Sequence, residues 1–128
     1  MREWQSGETL GDRIRTGRAR KRLTLRQAAD AVKRSPSFLS DVENGRRAPS
    51  EDLLADLAAL LELDLDDLMA AAGKLPTDVS DYLRSTPEAG RLFRTLSSRR
   101  VDTDGLRKLI EQAGSLGTAE PDAADLER

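Results

Sequence analysis

Apolar residues recur every three or four positions along most of this chain, and polar punctuation divides the pattern into short helices. A first helix is predicted from about Glu8 to Lys21, with Leu10, Ile14 and the gap at Gly17 on its buried side. Arg13, Arg15, Arg20, Lys21 and Arg22 decorate the rest, while Arg18 falls on the inner side. Thr24 caps a second helix, Gln27 completes a capping-box pattern, and Leu25, Ala28, Ala29 and Val32 form the apolar face. The small Ala28 and Ala29 let another helix approach closely. Lys33 and Arg34 fill a tight turn. Ser35 is then a good N-cap, and Pro36 takes the first helical position, where its missing N–H costs nothing. Leu39 and Val42 face inward, Gly45 supplies the left-handed conformation that ends the helix, and Pro49 keeps it from resuming.

Ser50 caps a fourth helix, with Glu51 and Asp52 suited to its positive N-terminus and Leu54, Leu57, Leu60 and Leu61 as its stripe. Asp64 caps a fifth, with Leu65, Leu68 and Met69 inward and Gly73 at its end. Lys74-Leu75-Pro76 marks a boundary. Beyond it three short helices are predicted: one capped by Thr77 and carrying Val79, Tyr82 and Leu83; one opened by Thr86-Pro87-Glu88 with Leu92, Phe93 and Leu96; one opened by Asp102 or Thr103 with Leu106, Leu109, Ile110 and Ala113. The expected organisation is a flexible arm over 1–7, a five-helix domain over 8–73, a helical segment over 74–114, and a disordered tail over 115–128, where Gly, Ser, Ala, Pro and acids dominate. The fold class is all-α. A segment of some forty residues with so few apolar side chains rarely stands alone, so Leu83, Leu92, Phe93, Leu96, Leu106, Leu109 and Ile110 are expected to form a dimer contact.

Composition narrows the chemistry. The chain has 128 residues and neither Cys nor His, which excludes disulfides, thiolate nucleophiles, His bases and the usual zinc sets. No catalytic residue, metal site or cofactor is expected. No apolar run approaches a membrane span, and MREWQSGETL lacks the apolar stretch of a signal peptide, so a cytoplasmic location is the expectation. The net charge of −2 hides an asymmetry. Residues 1–50 hold twelve Lys or Arg against six Asp or Glu, whereas 51–73 hold seven acids and no base. The basic charge therefore gathers in the half of the chain that holds the paired short helices, as a nucleic-acid footprint does, and the acidic face of the fourth and fifth should point away from DNA.

Two helices of this length joined by a turn of this size suggest a helix-turn-helix. Leu10, Gly11, Ile14, Arg18, Ala29, Ser35, Leu39-Ser40, Glu43, Gly45-Arg46-Arg47 and Pro49-Ser50 together resemble the Cro and phage-repressor-like (XRE) family, over roughly residues 8–72. The resemblance implies a five-helix phage-repressor-like domain that binds double-stranded DNA. It also implies an ion pair between Arg18 and Glu43. Members commonly carry Gln where Leu25 sits, often on a phosphate, and Gly where Lys33 sits, which implies a less ideal turn here. In a helix-turn-helix the second helix enters the major groove. Ser37, Ser40 and Asp41, with Phe38 either against a thymine methyl or packed beside Leu39, are the candidate base contacts. Arg46 and Arg47 are the best phosphate ligands, with Asn44, Arg26, Lys33 and Arg34 as further candidates. Specific binding then calls for a homodimer on a palindromic operator.

Leu75-Pro76, Arg94-Thr95-Leu96-Ser97 and Arg99-Arg100 also resemble the tail of radiation-response and mobile-element repressors. In those repressors a partner zinc peptidase cuts the C-terminal domain and lifts repression, which would place a cut here near Arg99 to Val101. The leading reading is a sequence-specific repressor without catalytic activity. Two others use the same fold: the antitoxin of a toxin–antitoxin pair, whose C-terminal segment binds a toxin, and an adaptor that binds protein instead of specific DNA.

Overall fold

The computed structural model describes residues 8–117, and among these it is all helical. The expected arm over 1–7 and the tail beyond 117 lie outside the described residues. The helices are α1 Leu10–Lys21, α2 Leu25–Ala31, α3 Pro36–Glu43, α4 Glu51–Leu61, α5 Leu65–Ala71, α6 Thr77–Ser85, α7 Pro87–Ser98 and α8 Thr103–Ala113. The chain divides into two compact units, one up to Asp81 and one from Tyr82 on.

Local chemistry sets the helix ends of the first unit. Thr9 and Asp12 form a reciprocal capping box at α1, and Thr24 and Gln27 form one at α2. Ser35, Ser50 and Asp64 accept from the backbone N–H groups of Phe38, Leu53 and Asp67 at the starts of α3, α4 and α5. Each bond satisfies a donor that the helix cannot. At the far ends Gly45 and Gly73 take positive φ, 75° and 66°.

The core lies among these five helices. Ile14, Ala28, Ala29, Leu39, Leu53, Leu54, Leu57, Leu61 and Leu68 have no exposed surface. Helix α1 packs on α3, α4 and α5, while α2 packs on α3. Two glycines set the closeness of α1. A Cβ on Gly11 would sit 1.8 Å from the Glu43 carbonyl oxygen, so only Gly allows α1 to touch the end of α3. At Gly17 a Cβ would meet the Leu61 side chain at 3.1 Å.

Three expectations are corrected. Leu65 does not point inward but is 37% exposed, because it occupies the first position of α5, beside its cap, while Leu68 and Met69 fill the core side. Leu53 belongs in the α4 stripe, fully buried, and Leu60 at the stripe's edge is only partly covered. Thr77 is not a cap: it is the first residue of α6, and its hydroxyl donates to Glu51 Oε2 at 2.7 Å.

In the second unit Thr86 precedes α7 without a side-chain capping bond, and Asp102 caps α8 through Gly105 N–H. Among the described residues there, Ala89 is the only buried apolar one. Leu92, Phe93 and Ile110 are 50%, 52% and 71% exposed. Beyond α8 the backbone continues as a turn, with Leu116 N–H bonded to the Ala113 carbonyl.

Candidate nucleic-acid interface

Helices α2 and α3 are joined through Val32–Ser35. Lys33 N–H and Arg34 N–H return to the carbonyls of Asp30 and Ala29, at 3.2 and 2.9 Å. Lys33 carries φ of 60°. A side chain at that angle crowds its own carbonyl, which is the less ideal turn expected where glycine is absent.

Leu39, Val42 and Glu43 anchor α3 in the domain. Ser37 is exposed, and Pro36, Phe38, Ser40 and Asp41 are partly so. The turn at Gly45 then brings Arg46 and Arg47 back alongside the helix. Arg46 Nε lies 3.9 Å from Asp41 Oδ1, and the Arg47 guanidinium sits 4.9 Å above the centre of the Phe38 ring. Two base-contact candidates are thus matched to the two arginines that follow the helix. The Asp41 carboxylate lies within ion-pair distance of Arg46 and both side chains stay accessible. Phe38 packs against the core on one side and carries Arg47 on the other. Arg26 and Lys33 are exposed on α2 and the turn. Arg34 donates to its own neighbourhood instead, to the Val32 and Lys33 carbonyls at 3.4 and 3.3 Å. Asn44 also makes bonds within the domain, through both ends of its amide.

Arg18 and Glu43 meet as a two-pronged pair, with Nε to Oε1 at 2.6 Å and Nη2 to Oε2 at 3.1 Å. Arg18 Nη1 also donates to the Leu23 carbonyl at 3.2 Å. The Glu43 side chain is 6% exposed and that of Arg18 18%. Such a pair fixes the position of α3 on α1 more than it adds stability, because both charges lose water to form it.

Arg13 and Arg15 do more than decorate α1. Arg13 Nη1 donates to the Asp67 carbonyl at 2.7 Å, tying α1 to α5. Arg15 Nη2 donates to the Glu43 carbonyl at 2.7 Å and to Asn44 Oδ1 at 3.2 Å, and its Nη1 meets Asp12 Oδ1 at 3.2 Å. Arg15 lies one turn after Gly11 and three residues before Arg18, so all three share the side of α1 that meets α3. That spacing is the signal in the sequence that marks Arg15. The Asp12 carboxylate is held below its usual range, first by the Thr9 backbone N–H, then by the Thr9 hydroxyl and the charge of Arg15.

Among the described residues no helix is long and apolar enough to cross a membrane, and no group of three or more His, Cys, Asp or Glu could hold a metal ion.

Residues 9–72 match a family described as a helix-turn-helix domain. The chain is 36% identical over 84 residues to the transcriptional regulator ClgR of Mycobacterium tuberculosis, covering 66% of this chain and 74% of that one. It is 31% identical over 115 residues to the HTH-type transcriptional regulator DdrOP3 of Deinococcus deserti, covering 80% of this chain and 88% of the relative. The crystal structure of the clp gene regulator ClgR from Corynebacterium glutamicum aligns at 33% identity with a TM-score of 0.45, covering 73% of this chain and 92% of that one.

Proposed function

The chain belongs to the XRE-type helix-turn-helix family, and on that footing we propose that it is a dimeric repressor reading a palindromic operator. It is a DNA-binding transcription regulator and not an enzyme. The observation that carries the finer reading is the strip formed by α3 and the loop after it. Ser37, Ser40 and Asp41 lie along the accessible side of the helix, and Arg46 and Arg47 return beside it. In this reading the polar side chains meet base edges and the arginines meet phosphates, with Arg26 and Lys33 as outlying phosphate contacts. Arg34 and Asn44 are secondary, since both are engaged within the domain. The Arg18–Glu43 pair holds the reading helix at a fixed angle to α1.

One domain of this size presents a small interface to DNA, so two copies are needed to reach specific affinity. The exposed Leu92, Phe93, Leu106 and Ile110, with the partly covered Leu83, Leu96 and Leu109, supply an apolar surface for that pairing. The segment from Lys74 to Gly114 is then the dimerisation part and 8–73 the reading domain. A switch fits this division. Arg99-Arg100-Val101 lies between α7 and α8, both arginines are exposed, and Arg100 has φ of 49°. A cut there by a zinc peptidase would detach α8 and lower the affinity for the operator.

The test is a salt titration of operator and random DNA. Arg46→Ala and Arg47→Ala should each weaken binding to both and lower the salt slope by about one unit per lost contact. An unchanged slope in both variants removes these arginines from the phosphate contacts.

A further inference from the structure

Ser40 is the one groove-side residue of α3 whose side chain is bonded to a neighbour that the domain itself orients. Asn44 lies one turn later, at the C-cap of α3. Its Nδ2 donates to the Ser40 carbonyl at 2.9 Å and to Ser40 Oγ at 3.3 Å. Its Oδ1 accepts from Arg15 Nη2 at 3.2 Å.

The direction of this chain of bonds is fixed chemically at both ends. A guanidinium can only donate, so the amide atom that faces Arg15 is the oxygen. A backbone carbonyl can only accept, so the atom that faces Ser40 is the nitrogen. Arg15 is itself held, by the Glu43 carbonyl at 2.7 Å and by Asp12. The Ser40 hydroxyl consequently receives a hydrogen bond from Asn44. One of its two lone pairs is occupied, and the proton and the other lone pair remain for groups outside α3. Each donor also polarises the next group, so a hydroxyl at the end of a run that begins on a positive charge is a better donor than an isolated one.

We propose that Arg15 and Asn44 are specificity-determining residues that make Ser40 a hydrogen-bond donor toward DNA. This rests on the reading of Ser40 as a groove contact. The base it selects presents an acceptor in the major groove: guanine N7 or O6, thymine O4 or adenine N7. Cytosine, which presents only its N4 donor there, is disfavoured, because a hydroxyl that already accepts from Asn44 is the better donor and the poorer acceptor. Arg15 stays away from the bases and acts through Asn44, as a positioning residue.

Asn44→Asp tests the relay, because the shape is kept and the polarity reversed. The new carboxylate still accepts from Arg15, but toward Ser40 it can only accept, so the bond to the Ser40 carbonyl is lost and only the hydroxyl can meet it. The Ser40 proton then turns inward and the hydroxyl meets the groove with lone pairs. Binding-site selection on full-length wild type, Ser40→Ala, Asn44→Asp and the double variant reads the result, with thermal melting to confirm that each protein is folded. The expected outcome is an acceptor-type preference of about tenfold at one base pair of each half-site in the wild type. Ser40→Ala should abolish it. Asn44→Asp should reverse it toward a donor such as cytosine N4 at the same base pair, and should have no such effect once Ser40 is Ala. If Ser40→Ala flattens one position while Asn44→Asp keeps the wild-type base there, however much it weakens binding, the relay is wrong and the groove reading stands. If Ser40→Ala leaves every position unchanged, Ser40 is not a reader and the proposal falls with that reading. Arg15→Ala provides an independent arm: freeing the amide should blunt the same position without touching the salt slope.

Discussion

The first five helices and the last two all carry apolar stripes, yet only the former bury most of theirs. In α1 to α5 seven large side chains have no exposed surface, and every helix start carries a side-chain cap. Helices α7 and α8 leave Leu92, Phe93, Leu106 and Ile110 exposed, and α7 begins without a capping bond. The difference lies in number and closeness. Five helices can enclose leucines on all sides, and Gly11, Gly17, Ala28 and Ala29 let them approach. Helices α7 and α8 are not among the closely packed pairs, and much of each stripe is left to find a partner. A buried stripe holds a fold together, whereas an exposed one is available for association.

Substitutions on the two sides should separate these roles. Leu57→Ala removes a side chain with no exposed surface and should cost about 2–5 kcal/mol by urea unfolding. Leu92→Ala, at a position half exposed, should stay within about 1 kcal/mol by the same measure. Equal losses would mean that α7 belongs to the same core.

Phe93→Asp sharpens the contrast in the opposite direction. It should leave the melting of the first unit unchanged, convert the protein to monomer in sedimentation, and weaken operator binding by about a hundredfold or more, since joined readers benefit from effective concentration. Truncation after Gly73 should likewise give a monomer that binds the operator far more weakly. A Phe93→Asp protein that still sediments as a dimer would place the pairing surface elsewhere.

A smaller effect is expected at the turn between α2 and α3. Lys33 holds a left-handed angle without being glycine. Lys33→Gly relieves the crowding and gives back part of the gain in unfolded-chain entropy, for a net stabilisation of about 0.5–1 kcal/mol in denaturant unfolding. It also deletes a candidate phosphate contact, so affinity should fall as stability rises.

The smallest effect concerns acid. Folding lowers the pKa of Asp12, so its carboxylate contributes stability that is fully present above its unfolded value of about 3.8 and is lost as pH falls through the folded value. Asp12→Asn should therefore be less stable than wild type near pH 7, and the gap should close toward pH 3. A gap independent of pH would mean that the loss comes from packing and not from the charge.

Much of this was legible in the sequence, and the reason is that helix ends are local. A cap joins an oxygen to an N–H three residues away, so Thr24, Ser35, Ser50 and Asp64 each announce a helix regardless of what surrounds it, whereas Thr9, the cap of α1, lay inside the span expected from Glu8. The stripes are local too, through the period of 3.6 residues, and Arg18 with Glu43 was legible because a family pattern pairs them. Stripe edges were harder: Leu53, Leu60 and Leu65 lie where one residue of rotation decides between core and solvent, and a neighbouring helix makes that choice.

Closeness between elements belongs to the tertiary structure. Gly11 reads as an ordinary helix residue until the Glu43 carbonyl is found where its Cβ would be. Arg13 and Arg15 read as solvent-facing charges until they reach carbonyls 54 and 28 residues away. The spacing from Gly11 to Arg18 places Arg15 on the inner side, but the acceptors are backbone oxygens, which nearly every residue supplies alike, so no side-chain pattern names them. The same holds for the run from Arg15 through Asn44 to Ser40. Its members are common polar residues, and its direction exists only because α1 and the end of α3 are packed closely enough for a guanidinium to reach an amide.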